Sequence, residues 1–291
     1  MYPRHPDAQP PNLIVIKSSV HRFIQWQARL SRQFDRLLPD AMSVDGNYEF
    51  RTEYAISHLR THPNPVVYDV GGGKNPYLSL ELKRQLNATV VGLDISQTEL
   101  DAAPPGVYDQ TVCADLTLYQ GRQDADFVIC QTLLEHVRDV NKAFEALAGI
   151  LKPGGVLLVF VPSRNAIFAR LNLLLPEKLK RLLLFAIFPQ TKRDQGFPSY
   201  YDRCTPAAFK KLAQEQTLVV IDCRLYYCSM YFSFFAPLHI LWRTWLYLFK
   251  RVDEEKAAET FAMALSKTSC RTECIDCRAT HATVARSDKV D

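Results

Sequence analysis

After Pro65 the chain changes to short apolar runs separated by stretches of helical spacing, and no other feature restricts the fold so strongly. This alternation is the pattern of βα units, in which parallel strands buried on both faces are joined by crossover helices. Strands are expected at 66–70 (VVYDV), 89–94 (TVVGLD), 110–114, 126–130 (DFVIC), 156–161 (VLLVFV) and 218–226 (LVVIDCRLY), with a last one at 259–267 (ETFAMALSK). Helices are expected at 77–86, 139–151 and 206–216. The last opens with Thr205 as N-cap and Pro206 at the first helical position. The 291 residues are absorbed by one α/β core with insertions.

Upstream of this core, the opening stretch with Pro3, Pro6, Pro10 and Pro11 has little to bury, so residues 1–20 are expected to be a flexible arm. From His21 to Leu38, Phe23, Trp26, Leu30, Phe34, Leu37 and Leu38 recur at helical spacing with four arginines between them, which predicts an amphipathic helix. A second helix fits 49–59. The N-terminal helical segment is therefore 21–64. Lys plus Arg (35) against Asp plus Glu (31) is too even a balance to argue for nucleic acid as a partner. Eight cysteines in a chain this long make no disulfide scaffold, and the polar start lacks the apolar run of a secretory signal, so a cytoplasmic location is expected.

Glycine is scarce, 11 in all, yet Gly71, Gly72 and Gly73 stand together between a strand and a helix. Missing side chains there let the backbone turn sharply and approach a ligand. A dinucleotide site would want G-x-G-x-x-G, but Pro76 stands at the third glycine. A nicotinamide oxidoreductase is disfavoured accordingly. Asp69 precedes the glycines, Asp94 ends the second strand and Asp115 ends the third. A carboxylate ending the second strand can accept both hydroxyls of a ribose, and one near the first turn favours a cationic ligand over a polyphosphate. Asp115 can accept from an exocyclic amine while Ile95 and Leu116 pack on a flat ring; the alternative is that aspartates end strands as turn formers.

The order DVGGG, GLDIS, ADL, DFVICQTLLEHV and ILKPGGVLLVFVP resembles the class I S-adenosylmethionine-dependent methyltransferases of the type 11 kind, over roughly 65–225 and the strand at 259–267. The resemblance implies a doubly wound, seven-stranded, mostly parallel α/β sheet whose seventh strand is antiparallel. It implies S-adenosylmethionine as cofactor, with Asp69, Gly71 and Gly73 at its methionine part, Asp94 at the ribose, Asp115 with Leu116 at the adenine, and Gln131 opening a loop that touches it. Asn75 departs from the family's third glycine and tolerates left-handed backbone. His136, in LLEHV, is a candidate catalytic base or a loop histidine that orders backbone, and Glu135 beside it is open in the same way.

The methyltransferase domain spans 65–268, with insertions at 163–203 and 226–258. Both follow parallel strands and leave the sheet at the edge holding the cofactor, so they should roof the site. The first mixes apolar residues with seven basic ones from Arg164 to Arg193, which suits an anionic membrane surface. The second, YYCSMYFSFFAPLHILWRTWLYLF, has spanning length but is interrupted by Pro237, His239 and Arg243. If strands six and seven pair, it cannot cross once. Methyl transfer to a hydrophobic or membrane-associated acceptor, a small molecule or lipid such as a lipid-linked intermediate, a quinone or a glycan precursor, with peripheral contact at the inner face of a membrane fits these insertions, and so does a soluble lid or homodimer interface. A cofactor-binding scaffold without catalysis is the alternative to an enzyme. In the polar tail 269–291, Cys270, Cys274, Cys277 and His281 are spaced as metal ligands can be, but they trail a finished sheet, and no metal is expected.

Overall fold

In the computed structural model, which describes residues 11–175 and 198–268, seven strands form one sheet in the order β3-β2-β1-β4-β5-β7-β6. The strands are β1 Val66–Val70, β2 Thr89–Asp94, β3 Gln110–Cys113, β4 Ala125–Gln131, β5 Leu151–Pro162, β6 Leu218–Tyr226 and β7 Thr260–Lys267. Pairs from β3 through β5 are parallel, and β7 runs antiparallel between β5 and β6. β6 therefore points the same way as β5. β1, β4 and β5 carry apolar residues on both faces because helices cover both, the condition that makes a parallel sheet's strands read as continuous hydrophobic runs.

Strand β5 begins at Leu151, five residues before the expected Val156, because Leu151 already pairs with Ala125 across an irregularity in β4. Between them Gly154 takes φ +83° and Gly155 passes Ala125, where an added Cβ would lie 2.8 Å from the carbonyl oxygen. The helices are α1 Pro11–Asp35, α2 Gly46–Glu49, α3 Ala55–Leu59, α4 Leu80–Leu86, α5 Gln97–Asp101, α6 Val140–Ile150, α7 Ile167–Leu174, α8 Pro206–Glu215, α9 Ala236–Lys250 and α10 Glu254–Ala257. A π turn, Phe50–Tyr54, joins α2 to α3. Thr205 does cap α8, its hydroxyl accepting from the Ala208 amide at 3.2 Å.

Helix α1 starts ten residues before the expected His21 and ends at Asp35. Pro11 at its first position loses only an amide that would have had no partner. Residues 1–10, the middle of the first insertion (176–197) and the cysteine tail 269–291 lie outside the described residues, as do Cys270, Cys274, Cys277 and His281.

One side of the sheet is filled by α6 and α8, with Phe144, Phe209 and Phe261 meeting edge to face at 4.8 and 5.1 Å. The other is filled by the N-terminal segment: Phe50 and Tyr54 pack with Tyr77 and Phe160. Truncating any one of these buried phenylalanines would cost about 3–5 kcal/mol. The segment 43–59 thus forms one wall of the core. A third, smaller cluster, Met42, Tyr227, Leu246, Ala257 and Ala258, seats α9.

Candidate functional site

Because β1 lies between β2 and β4, the crossovers leave it in opposite directions, and a crevice opens at the carboxyl ends of these strands. A cleft of about 530 Å³ occupies that point. Gly71, Asp94, Ile95, Asp115, Leu116 and His136 line it, joined by Thr132, Leu133, Arg138 and Tyr200. Six of the nine residues singled out from sequence therefore share one cavity. Asp69, Gly73 and Gln131 do not line it.

Asp69 is fully sequestered behind the glycine turn. Its Oδ2 accepts from the Tyr77 amide at 2.7 Å and lies 3.2 Å from the Tyr108 hydroxyl, which is also 3.1 Å from the Gly73 carbonyl. Burial raises its pKa to about 6 against the pull of these donors and of Arg51. This aspartate shapes the turn from beneath rather than facing the cleft. Arg51 adds to the brace, donating to the Pro76 carbonyl at 3.2 Å while its guanidinium lies 5.5 Å from the Tyr77 ring centre.

The turn itself leaves no room for side chains. A Cβ on Gly71, where φ is +80°, would meet Leu133 at 2.8 Å, and one on Gly72 would meet the Asp69 carboxylate at 2.5 Å. One on Gly73, at φ +46°, would lie 3.1 Å from Asp94 Oδ2. The Gly71 amide is tied to Leu93 at the end of β2, 2.8 Å away. Asp94 accepts the Ser96 amide on Oδ1 at 2.9 Å, and burial is the main cause of its raised pKa. Next to it Ile95 leaves 60% of its surface exposed at the cleft. Asp115 does serve as a turn former, its Oδ1 accepting from the Thr117 amide and hydroxyl at 2.9 and 2.8 Å. Its other oxygen is not used by that cap.

The fourth strand delivers the opposite wall. Gln131 turns away to donate to Asn47 Oδ1 at 2.6 Å, linking β4 to the N-terminal segment. Thr132, at φ +49°, holds a left-handed backbone that a β-branched residue adopts only under strain, and its amide is fixed by the Phe160 carbonyl at 2.9 Å. His136 Nδ1 lies 3.1 Å from the Pro198 carbonyl oxygen. A carbonyl only accepts, so Nδ1 donates to it, while Nε2 on the other side of the ring lies 3.9 Å from Glu135 Oε1. Beneath it Glu135 is buried, its side-chain Oε2 without a partner and its pKa pushed up to about 8 by desolvation. The Glu135 backbone carbonyl accepts the amides of Tyr200 and Tyr201, so the return of the first insertion closes the cleft through Pro198 and Tyr200.

The profile of a family described as a methyltransferase domain matches residues 68–159. The chain is similar to a ubiquinone biosynthesis O-methyltransferase of Thiobacillus denitrificans, 28% identical over 189 residues that cover 60% of this chain and 76% of that one. A protein of the same description from Coxiella burnetii is 33% identical over 105 residues, 34% of this chain and 44% of its own length. Residues 68–159 thus carry a methyltransferase domain, and the chain is similar to S-adenosylmethionine-dependent methyltransferases.

Among solved structures, the methyltransferase of Haloferax volcanii in complex with the Trm112 activator shares the fold, with a TM-score of 0.51 at 15% identity, covering 85% of this chain and 96% of that one. The methyltransferase cleft suits its cofactor on its own chemistry: a side-chain-free turn, a carboxylate ending β2, and an apolar ledge of Ile95 and Leu116 flanked by Asp94 and Asp115. Sequence reasoning missed the brace on Asp69 by Tyr77, Tyr108 and Arg51. Tyr77 and Tyr108 carry no motif, and Arg51 lies in a helix far upstream, so only the fold could reveal them.

Proposed function

We propose that this methyltransferase transfers a methyl group to a hydroxyl of an apolar, ring-bearing acceptor of the quinone-precursor type. The observation that carries this reading is the composition of the cleft's outer wall. Tyr200 lines the cleft; Tyr201 follows it, with Phe168 of α7 6.4 Å away and Tyr231 stacked on Phe168 at 4.2 Å. Behind Tyr200 an aromatic layer therefore runs from the wall of the cleft towards the second insertion, an apolar backing that suits a flat ring bearing an apolar tail. The names of the relatives point to the same acceptor class.

Bound S-adenosylmethionine supplies an activated methyl group on a sulfonium, so the protein's work is alignment and proton management. In this reading the Gly71–Gly73 turn cradles the methionine part, Asp94 Oδ2 receives ribose hydroxyls, and Ile95 with Leu116 hold the adenine against Asp115. His136 Nε2 takes the acceptor's hydroxyl proton, because a hydroxyl must lose its proton to become a neutral ether. Pro198 fixes the tautomer that makes this possible. A bilayer holds such acceptors, so the enzyme would meet them at the inner face of a membrane.

Calorimetry and product analysis test the reading. Asp94→Ala should weaken S-adenosylmethionine binding at least tenfold, since a charged hydrogen-bond acceptor is worth about 1.5–3 kcal/mol. Unchanged affinity would remove Asp94 from the site. Incubation of the parent with a prenylated catechol and labelled cofactor should yield a methyl ether; label on nitrogen or carbon, or cofactor binding with no turnover, would refute the acceptor class and favour a non-catalytic scaffold.

A further inference from the structure

Helix α9 is built inside out. Its inward positions carry His239 and Arg243, 0% and 1% exposed, whereas Leu241, Trp245 and Leu248 on the outward side are 68%, 49% and 54% exposed. With Leu238 and Val252 these outward residues recur at intervals of three and four, a continuous apolar stripe. Inside, Asp35 of α1 receives Arg243 Nε at 2.9 Å and His239 Nε2 at 3.0 Å, and the guanidinium also donates to the carbonyls of Tyr227 and Met42. Gln27 and Ser31 of α1 bond the Ala236 amide and the Ser233 carbonyl at 2.8 and 3.1 Å. The two helices are thus clamped together by polar contacts beside the apolar seat of Leu246, and a second set of apolar residues faces out.

We propose that the outward face of α9, with its basic surround, lies on the surface of an anionic lipid bilayer. Exposed Arg22, Arg29 and Arg32 lie on α1, Arg36 just beyond it and Arg251 just after α9, where Asp253, Glu254 and Glu255 open α10 with Glu254 paired to Lys250; the only acidic residue in α1 or α9, Asp35, is neutralised inside by Arg243. Anionic headgroups complement that charge while acyl chains cover the stripe. A second copy does not: a two-fold contact would bring the same arginines against each other. Among the described residues no helix is long and apolar enough to cross a membrane, and β6 and β7 pair, so both ends of the segment return to one sheet. It lies in the interface. β6 points the same way as β4 and β5, so the segment leaves the sheet at the edge that holds the cleft, and the Phe168–Tyr231 stack ties its start to the wall of the site. This deepens the acceptor reading by saying where the acceptor is met, yet it fails separately.

Flotation of the full chain with phosphatidylcholine vesicles, with and without about a quarter phosphatidylglycerol, tests it. The parent should float with the anionic vesicles and not with the neutral ones. Combined Leu241→Ser, Trp245→Ser and Leu248→Ser, and separately combined Arg29→Gln, Arg32→Gln and Arg36→Gln, should each lower the bound fraction by about tenfold or more. S-adenosylmethionine affinity of each variant checks that the fold is kept. If the serine variant does not fold, quenching of Trp245 by brominated phosphatidylglycerol in a background with Trp26→Phe and Trp242→Phe, which leaves Trp245 as the one tryptophan, replaces it. A parent that stays at the bottom, variants that float like the parent, absent quenching, or a parent dimer that the serine variant makes monomeric without any lipid effect would each overturn the proposal. Turnover of a short-chain, water-soluble catechol reads the acceptor chemistry independently, so its loss tells against that reading and not against this surface.

Discussion

Replacing Glu135 with glutamine removes one ionisable group from beneath the cleft, and the effect on stability should run with pH in one direction only. The residue is 4% exposed, and burial moves its pKa from 4.5 to about 8. The folded state therefore binds this proton more tightly than the unfolded chain does. Its contribution to stability is fully present below about pH 4.5 and is lost as pH rises through about 8. At about 1.4 kcal/mol per pKa unit, the parent should lose about 3 kcal/mol through this group between about pH 5 and about pH 8. Glutamine has nothing to titrate. Asp69, raised to about 6, and Glu259, raised to about 7, shift the curve in the same direction but are present in both proteins. Parent minus variant at the two pH values isolates Glu135. Urea denaturation should show Glu135→Gln gaining about 3 kcal/mol on the parent as pH rises across that window. A gain below about 1 kcal/mol would mean that the folded carboxylate is solvated or paired, and the desolvation argument would be wrong.

Gly72→Ala should destabilise the fold by about 1–3 kcal/mol and weaken cofactor binding, because its Cβ would meet the Asp69 carboxylate; urea melts and calorimetry on one preparation read both effects. His136→Gln should lower kcat by about a hundredfold or more while leaving cofactor affinity within a few fold, since it touches the acceptor side only; equal losses in both would reduce this histidine to an orderer of backbone. Arg243→Met should cost about 3–5 kcal/mol by stranding Asp35 and the two carbonyls that the guanidinium serves, and protease should then cut near residues 43–45 faster than in the parent.

Most of the sheet was legible because its signal is local. The apolar runs in VVYDV and DFVIC reflect burial on both faces, which any parallel strand between two helical layers must satisfy. Asp94, Ile95, Asp115 and Leu116 could be placed in one site from sequence because parallel strands end at one edge, and the residues after them converge there whatever else surrounds them. The start of β5 was not legible, since Leu151 is a strand residue only by virtue of the edge Ala125 offers it. Nor was the direction of Gln131, whose partner Asn47 lies 84 positions away.

The second insertion shows the same division most clearly. Read along the chain, Pro237, His239 and Arg243 interrupt an apolar stretch; in the fold, His239 and Arg243 form the inward face of α9, because Asp35 of a distant helix turns a buried cation into a satisfied one. Hydrophobic spacing was enough to specify a parallel α/β sheet and the glycine run a ligand-approaching turn after its first strand, while the doubly wound order came from the resemblance to a family. Which face of a helix is inside, and which carboxylate braces the turn rather than facing the ligand, depended on charges and hydrogen-bond partners remote in sequence, and only packing brings those together.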